Sequence, residues 1–336
     1  MQRHAVKTTR ARSIGRFFGR FFATLGTILL ALLLVVVGLC WILCKGPSPT
    51  ARDMFVNTML ETSALKFVPS IFLSAEEVDA ITNSNMVYET DESTDSNANF
   101  TDKQDKVPPE TIEVLDIVGP SYCGKMLVVH DPSRVKVASL DTFSNELNGK
   151  TVLEFAKENK AVASVNGGGF SDVNGYGLGG MPIGIIIRDG KLLFGSENSV
   201  TSIVAFDKDN RLIVGKMSAK KALERNVRDA VSFGPAFIIN GTPAEVSGTS
   251  GGVNPRTVIG QRSDGAVLIL VIDGRQPHTL GATYKDCIDV MLQHGAINAA
   301  NLDGGTSTAM VYNGKIINSC SSLYGPRDIP TAFIVV

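Results

Sequence analysis

The residues that could do chemistry stand at the ends of apolar runs. Asn166 closes AVASVN, Arg256 opens RTVIG, and Asp273 and Arg275 follow AVLILVI. Asn301 and Asp303 follow AINAA, and Arg327 precedes the last apolar segment. A single charged residue after a buried strand is usually a solvated loop position. Several of them beside glycine clusters point instead to a cleft that binds an anion and offers carboxylates. The arginines favour a phosphate or carboxylate, which a guanidinium can grip at two points. A pair of aspartates without a His or Cys nucleophile favours glycosyl-type hydrolysis. The same pair, Asp273 with Asp303, could equally hold a divalent metal for metal-assisted chemistry. Each Asp also has a bland reading, a turn residue that caps neighbouring amides.

Two glycine clusters, Asn166-Gly167-Gly168-Gly169-Phe170 and Asp303-Gly304-Gly305-Thr306-Ser307-Thr308, exceed what ordinary turns need. Glycine permits close backbone approach, and a run of it after a strand can leave amides facing an anion. Other chemistries lack their residues. His4, His130, His278 and His294 are too scattered for a zinc site, though His278 falls in a loop near the candidate cleft. The glycines at 175, 177 and 180 match a dinucleotide pattern by letter only, because Met181-Pro182 and a strand follow rather than a helix. That stretch reads as a loop over a site. Cys123, Cys287 and Cys320 are neither a disulfide framework nor metal-spaced, and a single Cys123–Cys320 bridge stays open.

The elements that must position these residues are mostly strands. Residues 125–130 and 135–139 are strand-like, 151–160 is helical, and 161–166 is a strand entering the first glycine cluster. Three hairpins are expected: 185–188 with 191–194 around Asp189-Gly190, 203–207 with 211–214, and 257–261 with 266–273 around Asp264-Gly265. Residues 283–294 form the clearest helix, with Tyr284, Ile288, Met291 and Leu292 on one face and Gly295 as its stop. A strand at 299–303, a hairpin around Asn313-Gly314 and a strand at 331–336 complete the chain. The expected fold is α+β, with mixed, largely antiparallel sheets and few flanking helices.

The first 20 residues carry six of the 32 basic residues and none of the 33 acidic ones. Residues 21–44 then run without a charge. A helix of that length, about 36 Å, crosses a hydrocarbon core of about 30 Å with some tilt. Its length and its Leu43-Cys44-Lys45 ending favour a retained signal anchor over a cleaved signal. The basic cluster places the N-terminus in the cytoplasm and everything after Lys45 outside, as in a single-pass cell-membrane protein. The acidic remainder argues against nucleic acid as a partner. The organisation expected is a basic tail at 1–20, an anchor at 21–44 and a helical juxtamembrane stalk at 45–83, with Ser74 and Glu77 as a capping box. A flexible acidic spacer at 84–110 and one large domain at 111–336 follow.

Five segments together resemble the phosphodiester glycosidase family: NGGGF at 166–170, NPRTVIG at 254–260, VIDGRQP at 271–277, GAINAANLDGGTSTAMVYNG at 295–314 and GPRDIPTAFIV at 325–335. The resemblance covers roughly residues 125–336, and an anchor and spacer before the domain look like membrane-bound Gram-positive versions. It implies an extracytoplasmic hydrolase that cuts the glycosyl C1–O bond of a sugar 1-phosphodiester in a cell-surface or environmental glycan. It assigns Arg256, Arg275 and the amides of Gly304 and Gly305 to the phosphate, with Arg327 a weaker candidate. Gly167, Thr306 and Ser307 join the binding set, and Asn166 orients sugar or phosphate. Asp303 and Asp273 are then base, nucleophile or oxocarbenium stabiliser. One departure bears on the substrate: Thr306 and Thr308 interrupt the family's usual Gly-Gly-Gly-Ser-Ser run. No cofactor is implied beyond the divalent metal that the aspartate pair leaves open. Two rival readings remain, a non-catalytic glycan-binding module and a metal-dependent phosphodiesterase that cuts P–O.

Overall fold

Residues 2–62, 65–95, 107–172, 177–276, 279–322 and 325–336 are described by the computed structural model, with side chains from Phe17 onward. Three sheets share one core. The first runs Thr242–Pro243, Ala236–Ile239, Ala296–Leu302, Arg256–Arg262, Val267–Ile272, Cys123–Val129, Ile112–Val118. The second runs Lys191–Phe194, Ile186–Arg188, Val227–Ser232, Val200–Asp207, Leu212–Ser218. The third runs Lys315–Ile316, Met310–Tyr312, Ala163–Asn166, Thr331–Val335, Val135–Ser139. Every strand pairing among the described residues is antiparallel. The fold is α+β, as the sequence predicts.

Apolar periodicity explains the layering. In Val267–Ile272, Val267, Ile269 and Val271 enter the core shared by the three sheets, and Leu268, Leu270 and Ile272 enter a second cluster on the outer face. A strand buried on both faces is apolar throughout, and each such side chain contributes about 1.5–3 kcal/mol by leaving water. One helix covers the outside of each sheet: Val152–Glu158, Ala219–Glu224 and Tyr284–Gln293, here α5, α6 and α7. Thr283 and Asp286 close a capping box on α7, and Gly295 ends it at a φ of 82°. The Asp189-Gly190 and Asn313-Gly314 turns have positive φ at both positions, which matches the twist of a tight hairpin.

The register gathers the polar strand ends. Arg256 pairs with Ile272 and Thr257 with Leu302, so Arg256, Asp273 and Asp303 emerge at one end of the first sheet. Ala332 pairs with Asn166 in the third sheet. The Asp303 amide donates to the Gly167 carbonyl at 3.1 Å, and the Asn166 amide group donates to the Asp303 carbonyl. The two sheets are thus clamped together at the candidate site.

The N-terminal third departs from a stalk and spacer. Helix α1, Gln2–Lys45, carries the apolar stretch Phe17–Lys45, long enough to cross a membrane. Helices α2 (Pro49–Leu60), α3 (Pro69–Phe72) and α4 (Ala75–Ser84) pack with its last turn, burying Cys44, Val56, Leu73 and Ile81 together. The Ser74–Glu77 capping box is present. Asn57 donates to Thr249 Oγ1 at 3.1 Å, Val253 donates to Thr58 Oγ1 at 2.9 Å, and Thr249 donates to Asn85 Oδ1 at 2.6 Å. Residues 84–95, expected to begin a flexible spacer, are built into the body. Val87–Tyr88 pairs with Glu245–Val246, and the buried Thr94 hydroxyl accepts from Val214 at 3.1 Å and donates to Asn298 at 3.1 Å. Polar side chains that cannot form a core still satisfy backbone groups along a sheet edge. Residues 96–106 of the expected spacer lie outside the described residues.

Candidate active site

Asp303 lies one residue beyond Ala296–Leu302, at the wall of a cleft of about 860 Å³. Its Oδ1 accepts from the Gly304 amide at 3.0 Å, and its Oδ2 is buried without a hydrogen-bond partner. Burial pushes its carboxyl up to about 6, against the lowering effects of the Ser307 hydroxyl, the Gly304 amide and the Arg327 guanidinium. A carboxyl raised toward neutrality, with one unpartnered oxygen at the wall of a cleft, can exchange a proton or face a developing positive charge.

Positive charge reaches the same cleft. Arg275 lines it, donating to Asn254 Oδ1 at 3.1 Å and Thr62 Oγ1 at 3.3 Å. Arg327 forms a two-point pair with Asp172 at 2.5 and 3.0 Å, donates to the Gly177 carbonyl at 2.8 Å, and stacks over the Phe170 ring at 5.1 Å. Gly304, Gly305, Thr306 and Ser307 line it too, with Thr306 exposed in the short turn Gly305–Ser307. The beta-branched departure therefore borders the space a substrate would enter.

Several expected site residues serve the frame instead. Arg256 is buried at 3% exposure and does not line the cleft. Its guanidinium donates to the carbonyls of Gly251, Gly252 and Ala282, pairs with Glu61 at 3.2 Å and stacks on Tyr284 at 4.3 Å. The guanidinium expected at a phosphate is thus engaged within the frame instead of at the cleft. Asp273 is also internal: its Oδ1 accepts from the Ser319 amide at 2.8 Å, and the Cys123 thiol donates to its Oδ2 at 3.7 Å. It is not among the residues that line the cleft with Asp303. Among the described residues no group of three or more His, Cys, Asp or Glu is arranged to hold a metal. Cys123 and Cys320 are separate thiols. His278 lies outside the described residues.

The glycine clusters pack closely, and most of their amides have partners within the protein. Asn166 is fully buried, accepting from the Thr257 hydroxyl at 2.9 Å and the Ala309 amide at 3.2 Å. The Gly167 amide donates to the Thr331 carbonyl and the Gly168 amide to the Thr331 hydroxyl. A Cβ at position 167 would meet Thr331 Oγ1 at 2.7 Å, which is why glycine stands there. Gly304 donates to Asp303 itself and Gly305 to the Pro255 carbonyl at 3.0 Å. Both amides named for the phosphate are therefore taken.

Glu61, Asp172, Asn254 and Asp328 also line the cleft; none of them has a role in the sequence-based assignment, although Asn254 and Asp328 fall in segments that carry the resemblance. Asp172 could have been found, since it follows the first glycine cluster by two residues. Glu61 could not, because it lies at the end of α2, outside every segment that carries the resemblance.

Comparison with known proteins fits this arrangement. Residues 159–336 match the family described as phosphodiester glycosidase. The chain is 30% identical over 227 residues to the SPbeta prophage-derived uncharacterized protein YomE of Bacillus subtilis (strain 168), covering 64% of this chain and 33% of that one. It is 25% identical over 184 residues to N-acetylglucosamine-1-phosphodiester alpha-N-acetylglucosaminidase of Bos taurus, covering 49% and 34%. It thus spans about a third of the length of these curated relatives. The catalytic domain of the zebrafish enzyme of that name, auto-inhibited by its pro-peptide, shares the fold with a TM-score of 0.56 at 24% identity, covering 73% of this chain and 87% of that one. With the match extending over the strands that carry Asn166, Arg256, Asp273 and Asp303, the chain belongs to the phosphodiester glycosidase family.

Proposed function

We propose that this chain is a membrane-anchored, extracytoplasmic hydrolase that cleaves the glycosyl C1–O bond of a sugar 1-phosphodiester in a cell-surface glycan. The observation that carries the reading is the Asp303 carboxyl, raised to about 6 beside a cleft that also holds Arg275 and the Arg327–Asp172 pair. The leaving group of such a bond is a phosphomonoester, already a stable anion, so it needs little help from a general acid. What the reaction needs is positive charge at the phosphate and a carboxylate at the oxocarbenium-like carbon. Arg275 supplies the first, with Arg327 behind it. Asp303 supplies the second, as base, nucleophile or electrostatic stabiliser. Arg256, Asp273, Asn166, Gly167, Gly304 and Gly305 act as positioning residues that hold Asp303 and the loops around it. Thr306 and Ser307 shape the sugar side of the cleft.

Anchoring is supported by the end of α1. Cys44 is buried against α2–α4 and Lys45 pairs with Glu77 at 2.7 Å, so the last turn of the apolar helix is part of the folded body. A signal that is cut away would leave those contacts unmade. The basic residues before the helix place the body outside.

The test is turnover of a panel of glycosyl phosphodiesters by the full chain in detergent, with and without chelator. Release of free sugar and phosphomonoester, unchanged by chelator, is the expected result. Loss of turnover on chelation would favour the metal-dependent phosphodiesterase, and binding without turnover would favour the glycan-binding module.

A further inference from the structure

The segment joining α2 to α4 carries three large apolar side chains on its surface: Leu65 at 39% exposure, Phe67 at 59% and Ile71 at 63%. Scattered exposed apolar residues need no explanation. Three within seven residues do, because such a patch marks a surface that something covers. The segment is ordered by its own turns: Leu65 donates to the Thr62 carbonyl at 2.9 Å, Val68 to Leu65 at 3.0 Å and Ile71 to Val68 at 3.2 Å. Its inward side is used, with Pro69 and Leu73 buried and Phe72 packed in the cluster that includes Cys44. The patch is therefore presented outward by a fixed support.

The position of that support names the occupant. Helix α3 packs against α1, and the shared cluster contains Cys44, the penultimate residue of the apolar helix. Trp41, one turn earlier and 57% exposed, suits the membrane–water boundary, where Trp is enriched. Lys66 is exposed between Leu65 and Phe67, a cation placed to meet lipid phosphates while its neighbours enter the acyl boundary.

We infer that Leu65, Phe67 and Ile71 bed into the outer leaflet beside the exit point of α1, giving the body a second, monotopic contact with the bilayer. The inference rests on reading α1 as a membrane anchor. It has a consequence for substrate. Glu61 and Thr62, which line the cleft, directly precede this segment. A three-residue link of about 10 Å and twelve helical residues of about 18 Å separate Glu61 from the end of α1, so the cleft wall lies within about 30 Å of it. The substrate class is then a glycosyl phosphodiester held close to the bilayer, such as one attached to a lipid or to a membrane-rooted polymer.

The chain has one tryptophan, Trp41, which makes the test direct. The full chain is reconstituted into vesicles containing brominated phosphatidylcholine, and quenching is compared for four proteins. Wild type reports on α1; Trp41→Phe with Phe67→Trp, and Trp41→Phe with Ile71→Trp, report on the patch. Trp41→Phe with Val200→Trp reports on the exposed body. The inference expects position 67 or 71 to be quenched at least half as strongly as Trp41, with a blue-shifted emission, and position 200 to be unquenched. Quenching at Trp41 with none at 67 and 71 would overturn the inference while leaving the anchor intact, and would assign the patch to a protein partner. No quenching at Trp41 would overturn the anchor and this inference together.

Discussion

Glu61 and Arg256 stand 195 residues apart in the chain and meet at 3.2 Å, with the Tyr284 hydroxyl donating to the same carboxylate at 3.2 Å. A buried guanidinium needs a counter-charge, and here it comes from the end of α2, outside the region that carries the family's motifs. The helices that follow α1 therefore complete the body they were expected only to support.

That contact predicts a stability effect, with catalysis affected only through it. Glu61→Ala should lower stability by about 1–3 kcal/mol, the cost of unpairing a hydrogen-bonded charge. Arg256→Lys should cost more, about 3–5 kcal/mol, since an ammonium cannot reach Glu61 and the Gly251, Gly252 and Ala282 carbonyls together. Urea unfolding of both variants checks this. Wild-type midpoints would show that the pair contributes nothing.

Asp303 predicts opposite changes in activity and stability. Its carboxyl is raised from 3.8 to about 6, so the folded chain binds that proton more tightly than the unfolded chain. Stability from this group is present at acid pH and is lost as pH rises from about 4 through about 6. Asp303→Asn should therefore be more stable than wild type at pH 7–8, by about 1–3 kcal/mol, and little different at pH 4. Turnover should fall at least about a hundredfold, and the rise of kcat/KM through pH 6 should vanish. Asp273→Asn, acting only through the Ser319 loop, should keep turnover within about tenfold. A destabilised Asp303→Asn with near-normal turnover would mean that the residue is a turn cap.

Of the two arginines that line the cleft among the described residues, Arg327 is paired with Asp172 and Arg275 bonds only neutral oxygens. Arg275→Lys should reduce turnover of a phosphodiester at least about tenfold, from loss of a charge-assisted bond worth about 1.5–3 kcal/mol. Its thermal midpoint should stay near wild type, because the side chain is exposed. Unchanged kinetics would remove it from the phosphate site.

Gly167 links packing to the site, since its carbonyl receives the Asp303 amide. Gly167→Ala must displace Thr331 Oγ1, 2.7 Å from the added carbon. The expected cost is about 1–3 kcal/mol, typical of overpacking, with kcat falling more than KM rises. A crystal structure of the variant with Asp303 in place would contradict this coupling.

The strands were legible because apolar runs ended at turn pairs such as Asp189-Gly190 and Asn313-Gly314, whose local chemistry fixes a hairpin without help from the rest of the chain. That Arg256, which opens a strand, and Asp273 and Asp303, which follow strands, reach one end of the sheet was legible from the same strand pattern. Their roles were not. Whether a strand-end arginine faces a cleft or a ring of carbonyls depends on Glu61 and the 249–252 loop, contacts without a local signal. The packing of the glycine clusters was not legible, because one residue type serves both anion cradles and close approach, and the contacts with Thr331 and Pro255 have no local signal.

Hydrolysis of a glycosyl phosphodiester in ¹⁸O-labelled water, followed by mass analysis of both products, tests C–O cleavage most directly. The account predicts the label in the anomeric hydroxyl of the released sugar and none in the phosphomonoester. Label in the phosphate instead would mean attack at phosphorus, and would contradict the role given to Asp303.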